Sequence, residues 1–334
     1  MQGKSKIDKI RDSGGTADVG TDEEGAIAEM LNINNERLLI IKERAIYEIQ
    51  TADDIDPDRT NISLPNTIQK LFIDQGTESE LVCRTLLTAK RLFKKGYLND
   101  EVNIKRLLEL SLELVQELTV LQSEINSYIK KEQEVNAQYY SQKGSYKAPS
   151  ISDAVTRCKT IFQKADHIEQ IIMETVTVFY PNEKLTKQSH FPKLHDVLDK
   201  LYGKEDRFTY FVNETLHFMQ VIRQLRNGLD HRLDFVTVFD YQIKPDGSII
   251  SPSIELNHKE AKLKRESLTS FLSVVLKDSI TIYENMIAYL TDKHLKSNPL
   301  NFRVNVIPEE KRRNKHIQFS LWSPIGKEGF FEQS

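Results

Sequence analysis

The sequence is short of several features that would assign a function at once. It has only two cysteines, Cys83 and Cys158. They stand far apart, neither belongs to a CxxC pair, and so neither a zinc site nor a redox pair is indicated. Both read as small buried hydrophobes in a reducing cytoplasm. No window approaches the roughly 18 consecutive apolar residues of a transmembrane helix, which argues against such a helix. The first 25 residues are polar, contain "DSGGTADVGTDEEG" and lack the apolar centre of a secretory signal. Residues 1–23 therefore read as a flexible tail. There is no GxxxxGK[ST] or GxGxxG phosphate loop, no GxSxG elbow and no repeat of fixed period. A net charge of −3 excludes a constitutive nucleic-acid coat, while leaving room for a local basic cleft.

What is present is a soluble composition, 39% hydrophobic and 28% charged, over 334 residues. That length fits two domains, or one domain with an extension. "GAIAEMLNINNERLLIIKERAIYEIQ" spaces its apolar residues by three and four, which predicts a helix over about 24–50. Pro57 and Pro65 break it. "TESELVCRTLLTAKRLFKKG" predicts a second helix, capped by Thr77 with Glu80 three residues on and ended by Gly96. The longest pattern, about 103–142, carries Leu107, Leu110, Leu114, Leu118, Leu121 and Ile125. The stripe spans about three heptads before turning polar, so a bundle helix is favoured over a coiled coil. "KGSYKAPS" is the best internal boundary. These elements make residues 24–149 an N-terminal helical region.

Beyond it, "SDAVTRCKTIFQKADHIEQIIMETVTVFY" is a helix capped by Ser152 and stopped before Pro181. "FPKLHDVLDKLYG" is a short helix with Pro192 in its first turn and Gly203 at its end. "EDRFTYFVNETLHFMQVIRQLRNGLDH" is a third helix. The period then changes to alternation, and "PDG" marks a β-hairpin at about 234–257. "KRESLTSFLSVVLKDSITIYENMIAYLTDKHL" returns to helix, and a second hairpin is expected at about 301–322. The expected architecture is mainly α, with hairpins appended to the second helical block.

This third helix, 205–231, runs into "LRNGLDHR", residues 225–232. Arg226 and Asp230 are four apart and share a face, as do Asn227 and His231. Arg226 and His231 are five apart, about 500° around an ideal helix, and point away from each other. They can meet on one ligand only if the helix bends or ends between them, with Gly228 as the weak point, or if symmetry supplies a second copy. A purely structural account also fits. Arg226–Asp230 would be a helix ion pair, Gly228 a helix-ending residue, and His231 a cation favoured by the C-terminal dipole.

"RNGLDH" resembles the signature of the HEPN superfamily, an arginine followed by four to six residues and a histidine, often with a polar residue after the arginine. Arg226, Asn227 and His231 fit it at the four-residue spacing. The resemblance covers roughly 150–296 and leaves 1–149 unexplained, with the hairpin after the motif as an insertion. It implies a HEPN-like helical bundle and a metal-independent endoribonuclease, cytoplasmic and without cofactor, working as a homodimer with two motifs facing across the symmetry axis. The implied role is that of a toxin or anti-phage effector, with an antitoxin or regulatory protein as a further partner. His231 would be general base or acid toward the RNA 2′-hydroxyl, Arg226 the phosphate clamp and Asn227 an orienting partner. Arg223 and Arg232 would track RNA phosphates. Some HEPN toxins carry a modifiable tyrosine two residues after the histidine. Leu233 stands there instead, which argues against that mode of control.

The alternative is a non-catalytic helical interaction module whose surface is the leucine-rich helix 103–142. Other features are weaker. "EEKRRNK" (309–315) reads as a soluble hairpin tip. His190, His195 and His217 lack the partners that would specify a metal. Phe208, Tyr210, Phe211 and Phe218 read as core and interface.

Overall fold

The computed structural model describes residues 5–13, 18–33, 37–142, 147–325 and 329–331. The chain is 50% helical with 18% strand. The described strands form four sheets, and this overturns the expectation of a mainly α bundle with appended hairpins. The architecture is mixed α/β.

The largest correction lies at 24–50. In place of a helix there is a meander of β1 (Ile27–Ile33), β2 (Arg37–Lys42) and β3 (Ile46–Thr51), completed by β4 (Thr67–Ile73) in the order β1-β2-β3-β4. Leu31 pairs with Leu39 and Ile33 with Arg37. Leu31, Ile33, Leu39 and Ile41 share the pleat face that enters the apolar core, while Ile40 and Lys42 on the other face of β2 are also covered. Within the stretch read as a tail, α1 (Lys6–Arg11) is capped by Ser5. Lys42 Nζ donates to the carbonyls of Val19 and Thr21, pinning residues 19–21 to the sheet. A short α2 (Ala52–Ile55) follows β3.

The helix expected over 77–96 is shorter and irregular. It runs as α3 (Glu80–Val82), a π turn (Cys83–Leu87) and α4 (Thr88–Leu92). Ser79, not Thr77, is at its cap. The Thr77 N–H instead bonds the Lys42 carbonyl, and the helix stops well before Gly96. α5 (Ile104–Ser141) agrees with its leucine stripe, and Asn103 accepts from the Arg106 N–H as its N-cap. Leu107, Leu110, Leu114, Leu118 and Leu121 are fully buried, each contributing about 2 kcal/mol of apolar transfer. The internal boundary "KGSYKAPS" lies partly outside the described residues.

Helices α6 (Ala154–Phe179), α7 (His190–Tyr202), α8 (Arg207–His231) and α9 (Leu268–Lys293) follow. Asp153 replaces the expected Ser152 at the α6 cap. Gly203 ends α7 in the left-handed region, at φ 83°. The hairpin after α8 is larger than its alternation suggests. β5 (Val236–Phe239), β8 (Ser253–Asn257) and β9 (Lys262–Ser267) make a three-stranded sheet. β6 (Gln242–Ile243) and β7 (Ile249–Ile250) form its tip around the "PDG" turn. Thus "KRES", expected to open the last helix, is strand, and Ser267 caps α9 by accepting from the Ser270 N–H. At the C-terminus β10 (Arg303–Val306) pairs with β11 (Phe319–Ser323), and β11 with β12 (Phe330–Phe331).

A single apolar cluster joins these parts, from Leu31 of β1 through α5, α6, α8 and α9 to Ile317. A buried ion pair crosses it. Arg84, in the π turn, donates through Nε to Glu284 of α9 at 2.6 Å. Among the described residues no helix is long and apolar enough to cross a membrane.

Candidate functional site

α8 continues helically through Gly228 to His231, so the glycine is not a hinge. It is buried, and a Cβ placed on it would stand 2.3 Å from Val236 Cγ2 and 2.9 Å from Phe235 Cε2. A glycine is favoured there because the side chains of Phe235 and Val236, at the start of β5, press against the helix where a Cβ would stand. The helix stops one turn later. Arg232 takes the left-handed conformation at φ 53°, and its N–H and that of Leu233 both return to the Gly228 carbonyl. That closes the last turn in the manner of a glycine-ended helix, with an arginine in the left-handed position.

An uninterrupted helix keeps Arg226 and His231 apart. Within one chain the structure does not bring them together. His231 is exposed at the helix end, and among the described residues it has no hydrogen-bond or ion-pair partner. Arg226 is held. Its Nε stands 3.0 Å from Asp230 Oδ2, one turn on, and 3.9 Å from Asp166 Oδ2 of α6. Its Nη1 donates to Asn227 Oδ1 at 2.9 Å. The expected helix ion pair is therefore present, and Asn227 orients the arginine itself.

α6 supplies the rest. Asp230 Oδ1 accepts from Gln163 Nε2 at 2.8 Å and lies 3.2 Å from Lys159 Nζ. Asp166 accepts from Gln170 Nε2 at 2.9 Å. Low numbers on α6 meet high numbers on α8, so the two helices run antiparallel along this seam. One turn along α6, Glu169 is 2% exposed, and its Oε1 lies 3.2 Å from Nδ1 of His190, the first residue of α7. Its other oxygen, Oε2, is buried with no hydrogen-bond partner among the described residues. His190 holds φ 53°, a left-handed position for a non-glycine residue. The carboxylates Asp166 and Glu169 face inward, while Lys159 and Arg226 are 42% and 35% exposed. The outer rim of the seam is thus cationic and its floor acidic.

Of the other residues singled out in the sequence, Arg223 lies on the same α8 face as Arg226 and Asp230, half-buried and without a partner among the described residues. Arg232 is exposed at the cap. The basic turn 309–315 is tied down rather than projecting as a hairpin tip: Asn314 Nδ2 donates to the Thr77 carbonyl and reaches Cys83 Sγ. Phe208 is buried and stacks on Tyr289 with an interplanar angle of 9°, whereas Tyr210 is exposed. Sequence reasoning missed Lys159, Gln163, Asp166 and Glu169. For the last three the only signal was a run of polar residues, "QKADHIEQ", and Lys159 had none. His190 was noticed but not connected to Glu169, because nothing local links residues 21 apart. Among the described residues no three His, Cys, Asp or Glu side chains gather where they could hold a metal ion.

No protein-family model, no curated protein and no solved structure matches the chain.

Proposed function

We propose that the chain is a metal-independent endoribonuclease of HEPN type, acting in the cytoplasm as a toxin or anti-phage effector. Two copies of α8 would face each other so that Arg226 of one and His231 of the other flank a single RNA phosphate. The observation that carries this reading is the contrast between the two motif residues. Arg226 is oriented by Asn227, Asp230 and Asp166, while His231, one turn further, is exposed and engaged with nothing described. A histidine left free at a helix end, set across a two-fold axis from a second copy's fixed guanidinium, suits proton transfer next to a bound phosphate. RNA carries its own nucleophile. The 2′-oxygen attacks phosphorus, a histidine takes its proton, and the 5′-oxygen leaves with a proton from a second histidine. The product carries a 2′,3′-cyclic phosphate.

The test is incubation of the purified chain with RNA in EDTA, beside His231→Ala. Cleavage by the parent and its loss in the variant, at an unchanged melting temperature, is expected. Equal cleavage by both overturns the assignment of His231.

One observation favours a second reading, a non-catalytic helical interaction module. Both carboxylates around Arg226 belong to this chain, so the arginine is already satisfied without a substrate. In that case the parent cuts no RNA under any condition and Arg226 matters only for stability.

A further inference from the structure

We propose that His190, positioned by Glu169, is a second acid–base group of the same site: the base that takes the 2′-hydroxyl proton, leaving His231 of a second copy as the acid. This rests on the ribonuclease reading and specifies its second histidine.

The argument starts on α6. Asp166 and Glu169 are three residues apart, so their Cβ atoms stand about 5–6 Å from each other on neighbouring strips of one helix face. Arg226 approaches the first at 3.9 Å and His190 is bonded to the second at 3.2 Å. Two chemically distinct groups, one from α8 and one from the start of α7, therefore converge on adjacent turns of a third helix. The antiparallel run of α6 and α8 also carries Arg223 toward the Glu169–Gln170 turn. A cation with no partner among the described residues thus faces the same stretch. His231 cannot join Arg226 from within the same helix, whereas His190 and Arg226 are both held by carboxylates of α6 three residues apart.

The Glu169–His190 pair has the geometry of an oriented base. Glu169 is 2% exposed and its Oε1 meets Nδ1, an arrangement that favours the proton on Nδ1 and leaves Nε2 as the basic nitrogen. The His190 side chain is 25% exposed, so the ring is not sealed in the core. The second carboxylate oxygen, Oε2, is buried and unpartnered. Burying a carboxylate with half its acceptors empty is costly unless something charged or protonated compensates. A proton gained by His190 during the reaction would do so. The step balances. The 2′-O–H proton passes to His190 Nε2, the 2′-oxygen bonds to phosphorus, and the P–O5′ bond breaks. The 5′-oxygen takes a proton from protonated His231 of the second copy. Solvent then returns both histidines to their starting states.

The test uses the full chain with His190→Gln, Glu169→Gln and His231→Ala. On RNA in EDTA, His190→Gln is expected to lower kcat by about 100-fold or more with KM little changed, the range for loss of a general base. Glu169→Gln should lower kcat about tenfold, an intermediate loss on the same scale. Nitrogen-15 spectra should show His190 as the Nδ1–H tautomer in the parent and as a mixture in Glu169→Gln, which reads the orientation of the ring, while the kcat loss at unchanged KM reads its part in proton transfer. If the parent cleaves RNA and His190→Gln keeps the parental kcat, the inference fails while the ribonuclease reading stands. If the parent cleaves no RNA, that reading fails by itself. His190 is then judged by titration with uridine 3′-monophosphate. Movement of its ring resonances that disappears in Arg226→Ala supports the phosphate-facing base, and an unmoved ring overturns it.

Discussion

Gly228 and Val236 are in such close contact that a methyl group on residue 228 would stand 2.3 Å from Val236 Cγ2 and 3.0 Å from its Cβ. Two effects oppose each other in Gly228→Ala. Alanine is intrinsically better in a helix by about 1 kcal/mol. Forcing extra atoms into a packed site costs about 1–3 kcal/mol, and here the obstacle is a β-branched side chain that cannot swing away. The expected net result is a loss of about 1 kcal/mol, read as a lower melting temperature. Adding Val236→Ala should recover most of it. A stabilised Gly228→Ala protein would mean that the strand is free to retreat.

How much of this was legible in advance differs by element. The helices 104–141 and 207–231 are long, and their apolar positions repeat over several turns, so the period is unambiguous. Residues 27–51 are three short strands in sequence. Their apolar runs are too brief for period to separate helix from strand, and Leu31, Ile33, Leu39 and Ile41 satisfy either. The usable signal was the asparagine cluster "NINN" and the excess of isoleucine, both of which disfavour a helix. At the site, the motif and the Arg226–Asp230 pair were readable because they are local. Asp166 and the Glu169–His190 contact were not, since they depend on how α6 packs against α8 and α7. Gly228 was assigned to the right place with the wrong role. Its reason for being glycine lies on the strand that crosses it.

Arg226→Ala should weaken the fold as well as any cleavage. Asp166 is 6% exposed, and without the guanidinium it keeps Gln170 as its only side-chain hydrogen-bond donor among the described residues. Leaving a buried carboxylate short of compensation costs about 1–2 kcal/mol. Asp230 is cushioned by Lys159 and Gln163. Arg226→Lys should restore part of the stability but little cleavage, because a point charge cannot clamp a phosphate through two parallel hydrogen bonds. Urea denaturation of both variants separates the two effects. Equal stability of Arg226→Ala and the parent would show that the ion pair is solvent-relaxed.

Neither cysteine should react in the folded protein. Cys83 and Cys158 are both fully buried, and burial pushes their thiols up to about 11 and about 12. At pH 8 the thiolate, which is the nucleophile, is scarce and inaccessible. Ellman's reagent should therefore find no thiol under native conditions and two after denaturation. Rapid native reaction of one thiol would reveal local opening of the helix that carries it.

The Arg84–Glu284 pair makes stability depend on pH in an unusual direction. Burial pushes the Glu284 carboxyl up to about 7 from its ordinary 4.5, and the Arg84 guanidinium only partly opposes this. Between those two values the folded chain binds a proton at Glu284 that the unfolded chain has lost. Stability then falls as pH rises through the interval. The contribution is fully present below about pH 4.5 and gone above about pH 7, amounting to about 3 kcal/mol across the interval. Glu284→Gln keeps the shape of the neutral acid and cannot ionise. Denaturant unfolding of the parent and of Glu284→Gln from pH 5 to pH 8 should therefore diverge, with the parent losing stability relative to the variant as the pH rises. The opposite slope would mean that Arg84 holds Glu284 ionised throughout, and that the pair acts as a conventional buried salt bridge.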